Sequence, residues 1–197
     1  HDLRTPLTRI RLQLALMGET EDAQAIRADL VEMEEMIDAY LSFAAGEGEE
    51  PPEDTDLPKM LERIIATTRN AHGYEITFKP PSPAIPVFPL RRKAIRRAIE
   101  NVVSNAIAFS SEAEISANYR KDDVTTIIDD NGAGIPAERR ADALRPFVRL
   151  ETSRNRQTGG TGLGLSITND IILGHGGELT LDDSPLGGLR VIMKLPV

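Results

Sequence analysis

Apolar residues in the first 45 positions fall on a heptad, and no other feature constrains the fold of that stretch as strongly. Leu3, Leu7, Ile10, Leu14 and Met17 recur at steps of 4, 3, 4 and 3. That spacing draws one apolar seam along a helix. The polar run Gly18 to Asp22 interrupts it, and Ile26, Leu30, Met33, Ile37, Tyr40 and Ala44 restart it on a second helix. Two short amphipathic helices cannot bury both stripes against each other alone. A symmetric dimer that joins two such hairpins into a four-helix bundle covers them. A monomeric hairpin packed on the rest of the chain is the simpler alternative.

The seam stops at Gly46 to Asp54 (GEGEEPPED), an acidic stretch with a stiff Pro-Pro step. Its composition reads as a linker, which divides the chain into domains at 1–45 and 56–197 with a linker at 46–55. Beyond it the periodicity is mixed. Leu57, Leu61, Ile64 and Thr68 mark a helix with Asp56 as N-cap. Glu75 to Lys79 reads as a strand, and Pro80 to Pro86 as a proline-rich loop. Pro89 suits the first turn of a helix that runs to Phe109. Ala113 to Arg120 and Val124 to Asp129 read as a hairpin turning at Lys121-Asp122-Asp123, and a short helix follows Pro136. After a polar loop from Arg145 to Thr161, a helix ends at Gly174 and two strands, Glu178 to Asp182 and Leu189 to Leu195, close the chain. Strands interspersed with helices predict a sandwich with helices on one face of a sheet. The fold class expected is therefore α+β, a dimeric helical bundle followed by an α/β sandwich.

Charge and composition exclude several functions. A net charge of -8 lacks the basic footprint of a nucleic-acid binder. With no cysteine there is neither a disulfide framework nor a thiolate metal site. No apolar run reaches the roughly 20 residues that span a bilayer. The chain opens on a histidine inside a helical pattern, which reads as a fragment whose preceding segment lies upstream.

His1 lies two positions before Leu3, about 200° around a helix, and so points away from the seam. Arg4, Thr5 and Thr8 share its face. By itself, an exposed helical histidine is a solvated surface residue. Its unperturbed pKa of about 6.5 nevertheless makes it a competent nucleophile near neutrality. Asp2 is able to accept a hydrogen bond from one ring nitrogen, fixing the tautomer and strengthening the other nitrogen as a nucleophile. Pro6 cannot donate to the Asp2 carbonyl, so the helix should bend just past His1.

Asn101 and Asn105 are four apart on an otherwise apolar helix. Neutral carbonyl oxygens of this kind suit Mg²⁺ that already carries phosphates and waters; bonding to a neighbouring loop is the plain alternative. Asp130 ends an apolar strand and enters Asn-Gly-Ala-Gly, where its carboxylate suits an exocyclic amine such as adenine N6, with Gly132 and Gly134 allowing close approach. Read alone, the same residues are a turn. Gly160, Gly162, Leu163 and Gly164 feed a helix whose N-terminus favours phosphate, though the stretch lacks the lysine of a P-loop. Phe147 either anchors the polar lid from Glu151 to Thr158 or belongs to the core.

Together these segments resemble the catalytic core of a bacterial sensor histidine kinase. The matching boxes are His1 to Leu12 (HDLRTPLTRIRL), Asn101 to Ala106 (NVVSNA), Asp130 to Gly134 (DNGAG), Pro146 to Leu150 (PFVRL) and Gly160 to Leu165 (GTGLGL). They occur in the family's order and cover essentially the whole chain, and the opening box is most similar to the EnvZ osmosensor type. The resemblance implies a histidine-kinase-type ATP-binding domain, with ATP and Mg²⁺ as cofactors. It makes His1 the phosphoacceptor, through Nε2, and Asn105 the Mg²⁺ ligand. It assigns adenine recognition to Asp130 and placement of a water for dephosphorylating the partner to Thr5. It further implies a homodimer, a cognate response-regulator receiver domain of OmpR-like type, and a cytoplasmic portion of an inner-membrane sensor protein. Many relatives carry a basic residue three positions after the second asparagine; Ala108 stands there. That departure favours an alternative, a phosphatase or binding module with weak autokinase activity.

Overall fold

The computed structural model describes residues 50–148 and 162–197, with scattered positions between 9 and 33. The chain forms two compact units, 1–48 and 49–197.

In the first unit the described positions are helical on either side of Thr20, and Leu14, Ala23 and Leu30 are buried together. Leu14 and Leu30 belong to the two expected seams. Thr20 Oγ1 accepts from the Ala23 N–H at 3.2 Å, and the Arg27 guanidinium donates to the Leu14 carbonyl. Ile10, Ile26 and Met33, also on the seams, remain exposed.

The second unit opens with a short strand, β1 (Glu53–Thr55), inside the stretch read as linker. It pairs antiparallel with β3 (Phe88–Leu90). Pro89 therefore lies in a strand rather than in a helix's first turn. Between them come α1 (Leu57–His72) and β2 (Glu75–Lys79). Asp56 caps α1 as expected, its Oδ1 accepting from the Lys59 N–H at 3.1 Å, and Gly73 ends it in the left-handed conformation.

The helix expected to start near Pro89 starts instead at α2 (Arg92–Phe109). Its cap position, Arg91, supplies no side-chain acceptor. Glu50 does so from the former linker: its carboxylate accepts the N–H groups of Lys93 at 2.7 Å and Ala94 at 3.1 Å. A carboxylate there also meets the positive end of the helix dipole. The expected hairpin is present as β4 (Glu112–Arg120) and β5 (Asp123–Asp130). Lys121 and Asp122 turn it with positive φ. A single 3₁₀ turn at Ala137–Arg139 and a short α3 (Arg140–Ala143) follow. Then come α4 (Gly164–Gly174), β6 (Glu178–Asp183) and β7 (Leu189–Pro196).

The sheet order is β2-β4-β5-β7-β6, with β2 parallel to β4 and the other pairs antiparallel. Side chains alternate with period two. Ile76, Ile115, Ala117, Val124, Ile128, Val191, Met193 and Leu181 are buried at inward positions. The helices contribute Leu57 and Leu61 from α1, Ile95, Ile99, Val102 and Val103 from α2, and Ile167, Ile171 and Ile172 from α4. Burying each large aliphatic side chain contributes about 1.5–3 kcal/mol. This is an α/β sandwich. Among the described residues no helix is long and apolar enough to cross a membrane.

Candidate functional site

Strand parity places Asp130. It shares the inward phase of Val124, Thr126 and Ile128 on β5, so its carboxylate points into the protein and is only 8% exposed. Such a carboxylate needs donors. Its Oδ1 accepts the N–H groups of Gly132 at 2.8 Å and Leu189 at 3.0 Å, and its carbonyl accepts from the Gly188 N–H at 3.1 Å. Among the described residues no donor is recorded on Oδ2, which leaves one oxygen to receive an outside N–H.

The neighbouring Asp129 has the opposite phase. It is held by a two-pronged pair with Arg190, at 2.8 and 2.9 Å. This pairing raises the Arg190 pKa above its ordinary value.

Two glycines press on Asp130. A Cβ on Gly132 would lie 2.5 Å from the Phe109 carbonyl oxygen, and one on Gly188 would lie 2.2 Å from Asp130 Oδ1. Gly132 was expected from the sequence; Gly188 was not. The Gly187-Gly188 pair signals only a turn between strands, and nothing local reveals that the turn closes on a residue 58 positions earlier. Gly134, at φ 68°, packs against the same Gly188. Asn131, between Asp130 and Gly132, has a structural role: its Oδ1 accepts from the N–H groups of Ser111 and Glu112.

The asparagines meet the glycine-rich loop through helix packing. Thr168 of α4 donates to the Ala98 carbonyl of α2 at 3.3 Å and to the Gly164 carbonyl at 2.8 Å. This brings the start of α4 beside α2, and the Asn101 amide donates to the Gly164 carbonyl at 3.3 Å. The Cβ position at Gly164 lies 3.7 Å from both terminal atoms of the Asn105 amide. Asn105 makes no recorded hydrogen bond among the described residues. Its neutral oxygen beside a helix N-terminus fits a magnesium–phosphate unit, in which phosphates and waters supply most ligands. No cluster of three or more acidic, histidine or cysteine ligands exists among the described residues. Ala108 is exposed on the same helix.

The C-terminal end of α2 is anchored by Tyr74, buried under the sandwich. Its hydroxyl bonds to Ser110 and donates to the Ala106 carbonyl, one position past Asn105. Burial pushes the Tyr74 pKa above its ordinary value.

Phe147 is not a core residue. It is 57% exposed, with φ 64°. Its N–H donates to the Gly162 carbonyl at 3.1 Å, so the phenylalanine box and the second glycine box are joined by backbone. Gly162 has φ 67° and meets the backbone of Phe147 and Val148, which explains why glycine stands there. Leu163 is buried at the start of α4. His1, Asp2, Thr5 and Gly160 lie outside the described residues.

Comparison with known proteins places this arrangement. Residues 91–197 match the family described as histidine kinase-, DNA gyrase B-, and HSP90-like ATPase. The sensor histidine kinase CpxA of Escherichia coli K12 is 34% identical over 210 residues, covering all of this chain and 45% of the relative. The chain thus spans about half the length of the curated relatives it matches. The NMR structure of the histidine kinase domain of the E. coli osmosensor EnvZ is 33% identical, with a TM-score of 0.58 over 76% of this chain and 91% of that domain. Full-length ShkA in complex with AMPPNP covers all of this chain and 44% of its own, with a TM-score of 0.74, and at 22% identity it shows shared fold alone. The chain therefore belongs to the histidine kinase-, DNA gyrase B-, and HSP90-like ATPase family and is, within it, a homologue of the sensor histidine kinases.

Proposed function

We propose that this chain is the catalytic core of a two-component sensor kinase, which phosphorylates His1 from ATP and passes the phosphoryl group to a response-regulator aspartate. The observation that supports the reading is that one helix, α2, adjoins both the start of α4 and the turn after Asp130. Its middle holds Asn101 and Asn105 against Gly164, and its end packs on Gly132 beside Asp130.

In this reading Asp130 Oδ2 accepts the adenine N6 amine while Oδ1 keeps its two backbone donors. The N-terminus of α4, with Gly160, Gly162, Leu163 and Gly164, receives the phosphates, and Phe147 sits at the stem of the lid. Asn105 holds Mg²⁺, which when bound neutralises phosphate charge, and Asn101 lines the nucleotide site. The His1 ring nitrogen attacks the γ-phosphorus in line. An N–P bond forms, the bond to the bridging oxygen breaks, and ADP departs. Asp2 holds the second ring nitrogen, and Thr5 orients a water for regulator dephosphorylation.

Residues 1–45 form the dimerisation and phosphotransfer domain of a homodimer. The exposed seam residues Ile10, Ile26 and Met33 support that assignment. Residues 56–197 form the ATP-binding domain, and the whole is the cytoplasmic part of a membrane sensor whose regulator is of OmpR-like type.

Labelled ATP tests the reading with two variants. H1Q should incorporate no phosphate and still bind ATP. D130N should lose ATP affinity by about one to two decades, as expected for a lost bond to a charged group. The amide oxygen must stay with the Gly132 and Leu189 donors, which turns its NH₂ toward the adenine amine. Label on H1Q removes His1 as acceptor, and an unchanged affinity in D130N returns Asp130 to a turn residue. The exposed Ala108 favours a second reading, a regulator phosphatase with weak autokinase activity. Wild-type protein that dephosphorylates its regulator but takes up little label would select it.

A further inference from the structure

We propose that Arg140 is a positioning residue for purine recognition, clamping the two loops that form the floor around Asp130. The inference rests on the adenine reading of Asp130. Arg140 opens α3, ten positions past Asp130, and its side chain is only 17% exposed. Its guanidinium uses three donors in three directions. Nε donates to the Ile135 carbonyl at 3.1 Å, one residue beyond Gly134. Nη1 pairs with Asp182 at 3.1 Å, and Nη2 with Asp183.

Those contacts reach both halves of the floor. Ile135 ends the Asp130-to-Gly134 loop. Asp182 and Asp183 end β6 and lead into the turn from Ser184 to Gly188, which Ser184 and Gly188 close by a 2.9 Å backbone bond. That turn presents the Gly188 and Leu189 N–H groups to Asp130. The two loops also touch each other, with the Gly134 Cβ position 3.2 Å from the Gly188 carbonyl oxygen. Asp182 stands opposite Arg190 in the β6–β7 register, and Arg190 grips Asp129. A run of alternating charge thus leads from Arg140 through Asp182 and Arg190 to the residue preceding Asp130.

Asp182 and Asp183 are 58% and 84% exposed, so their ion pairs contribute little to global stability. What the planar guanidinium supplies is geometry. It fixes the distance between two loops, and that distance orients the Asp130 carboxylate. Its loss should blur discrimination at the purine 6-position more than it weakens the fold.

The test compares binding of ATP and inosine triphosphate, which carries an oxygen in place of the N6 amine. Wild-type full chain should prefer ATP by tenfold or more, the effect of one bond to a charged group. R140Q should compress the preference to threefold or less. R140K, which keeps the charge without the fork, should fall between. D182N/D183N removes two partners at exposed positions and carries the same test if R140Q does not fold; it should also compress the preference. A wild-type preference kept intact in R140Q, or in the double variant if R140Q does not fold, overturns the Arg140 assignment alone. Equal loss of affinity for both nucleotides with a lowered melting temperature marks a merely structural arginine and also overturns it. A wild-type chain that binds both nucleotides alike overturns the adenine reading of Asp130, and the Arg140 proposal with it.

Discussion

Replacing Gly188 with alanine is the most demanding test of how Asp130 is held. The new Cβ would lie 2.2 Å from Asp130 Oδ1, 2.3 Å from the Gly132 nitrogen and 2.6 Å from the Asp130 carbonyl oxygen. Ordinary contact begins near 3.4 Å. Two of these atoms are backbone, so no flexible side chain can give way, and the turn must retreat by about 1 Å. A retreat of that size stretches the 3.0 Å Leu189 bond and the 3.1 Å Gly188 bond past useful length. Overpacking of this kind costs about 1–3 kcal/mol, and a lost bond to a carboxylate about 1.5–3 kcal/mol. A total near 3 kcal/mol, shared between stability and binding, predicts at least a tenfold loss of ATP affinity together with a lower melting temperature. Titration calorimetry with ATP and a thermal melt read both. G187A is the control: that position has φ 102° and no atom within 4 Å, so alanine there adds backbone strain without striking Asp130. It should lower stability and leave ATP affinity within a few-fold of wild type. An ATP dissociation constant for G188A equal to that of wild type would refute the reasoning.

Three further outcomes are expected. E50A removes the carboxylate that accepts from Lys93 and Ala94 and should destabilise the second unit by about 1 kcal/mol, lowering its melting temperature by about 3 °C; an unchanged melt removes Glu50 as the cap of α2. His175 accepts the Arg91 N–H on Nε2, and its Nδ1 bonds the Ile171 carbonyl; burial holds its pKa below the ordinary 6.5. The unfolded chain then binds the extra proton first, so this contribution is complete above pH 6.5 and is lost as pH falls below it toward the folded value; wild type should lose more stability than H175N between pH 7 and pH 5, and matching pH profiles would refute the link. T5A should spare autophosphorylation and slow decay of the phosphorylated regulator, measured side by side; equal loss of both would indicate a helix defect, and unchanged decay a plain surface threonine.

Local and periodic features were legible without a structure. The Asp56 cap, the strand Glu75–Lys79, the hairpin through Lys121 and Asp122 and the end of α4 at Gly174 all follow from spacing and turn chemistry, because each is decided by residues within a few positions of one another. The glycine and asparagine boxes were readable only as a set in one order, since each taken singly is a turn or an ordinary helix residue. Tertiary structure alone decided the partners. β1 is a three-residue strand inside an acidic Pro-Pro stretch, and only pairing with β3 makes it one; the same pairing takes Pro89 into a strand. Phe147 is exposed and its backbone is tied to Gly162, neither of which apolarity foretells. Glu50 at the tip of α2, Gly188 on Asp130 and Arg140 between two loops are choices among many equivalent charged or glycine residues. Periodicity specifies which face of an element is buried, whereas these contacts depend on where elements distant in sequence come to rest.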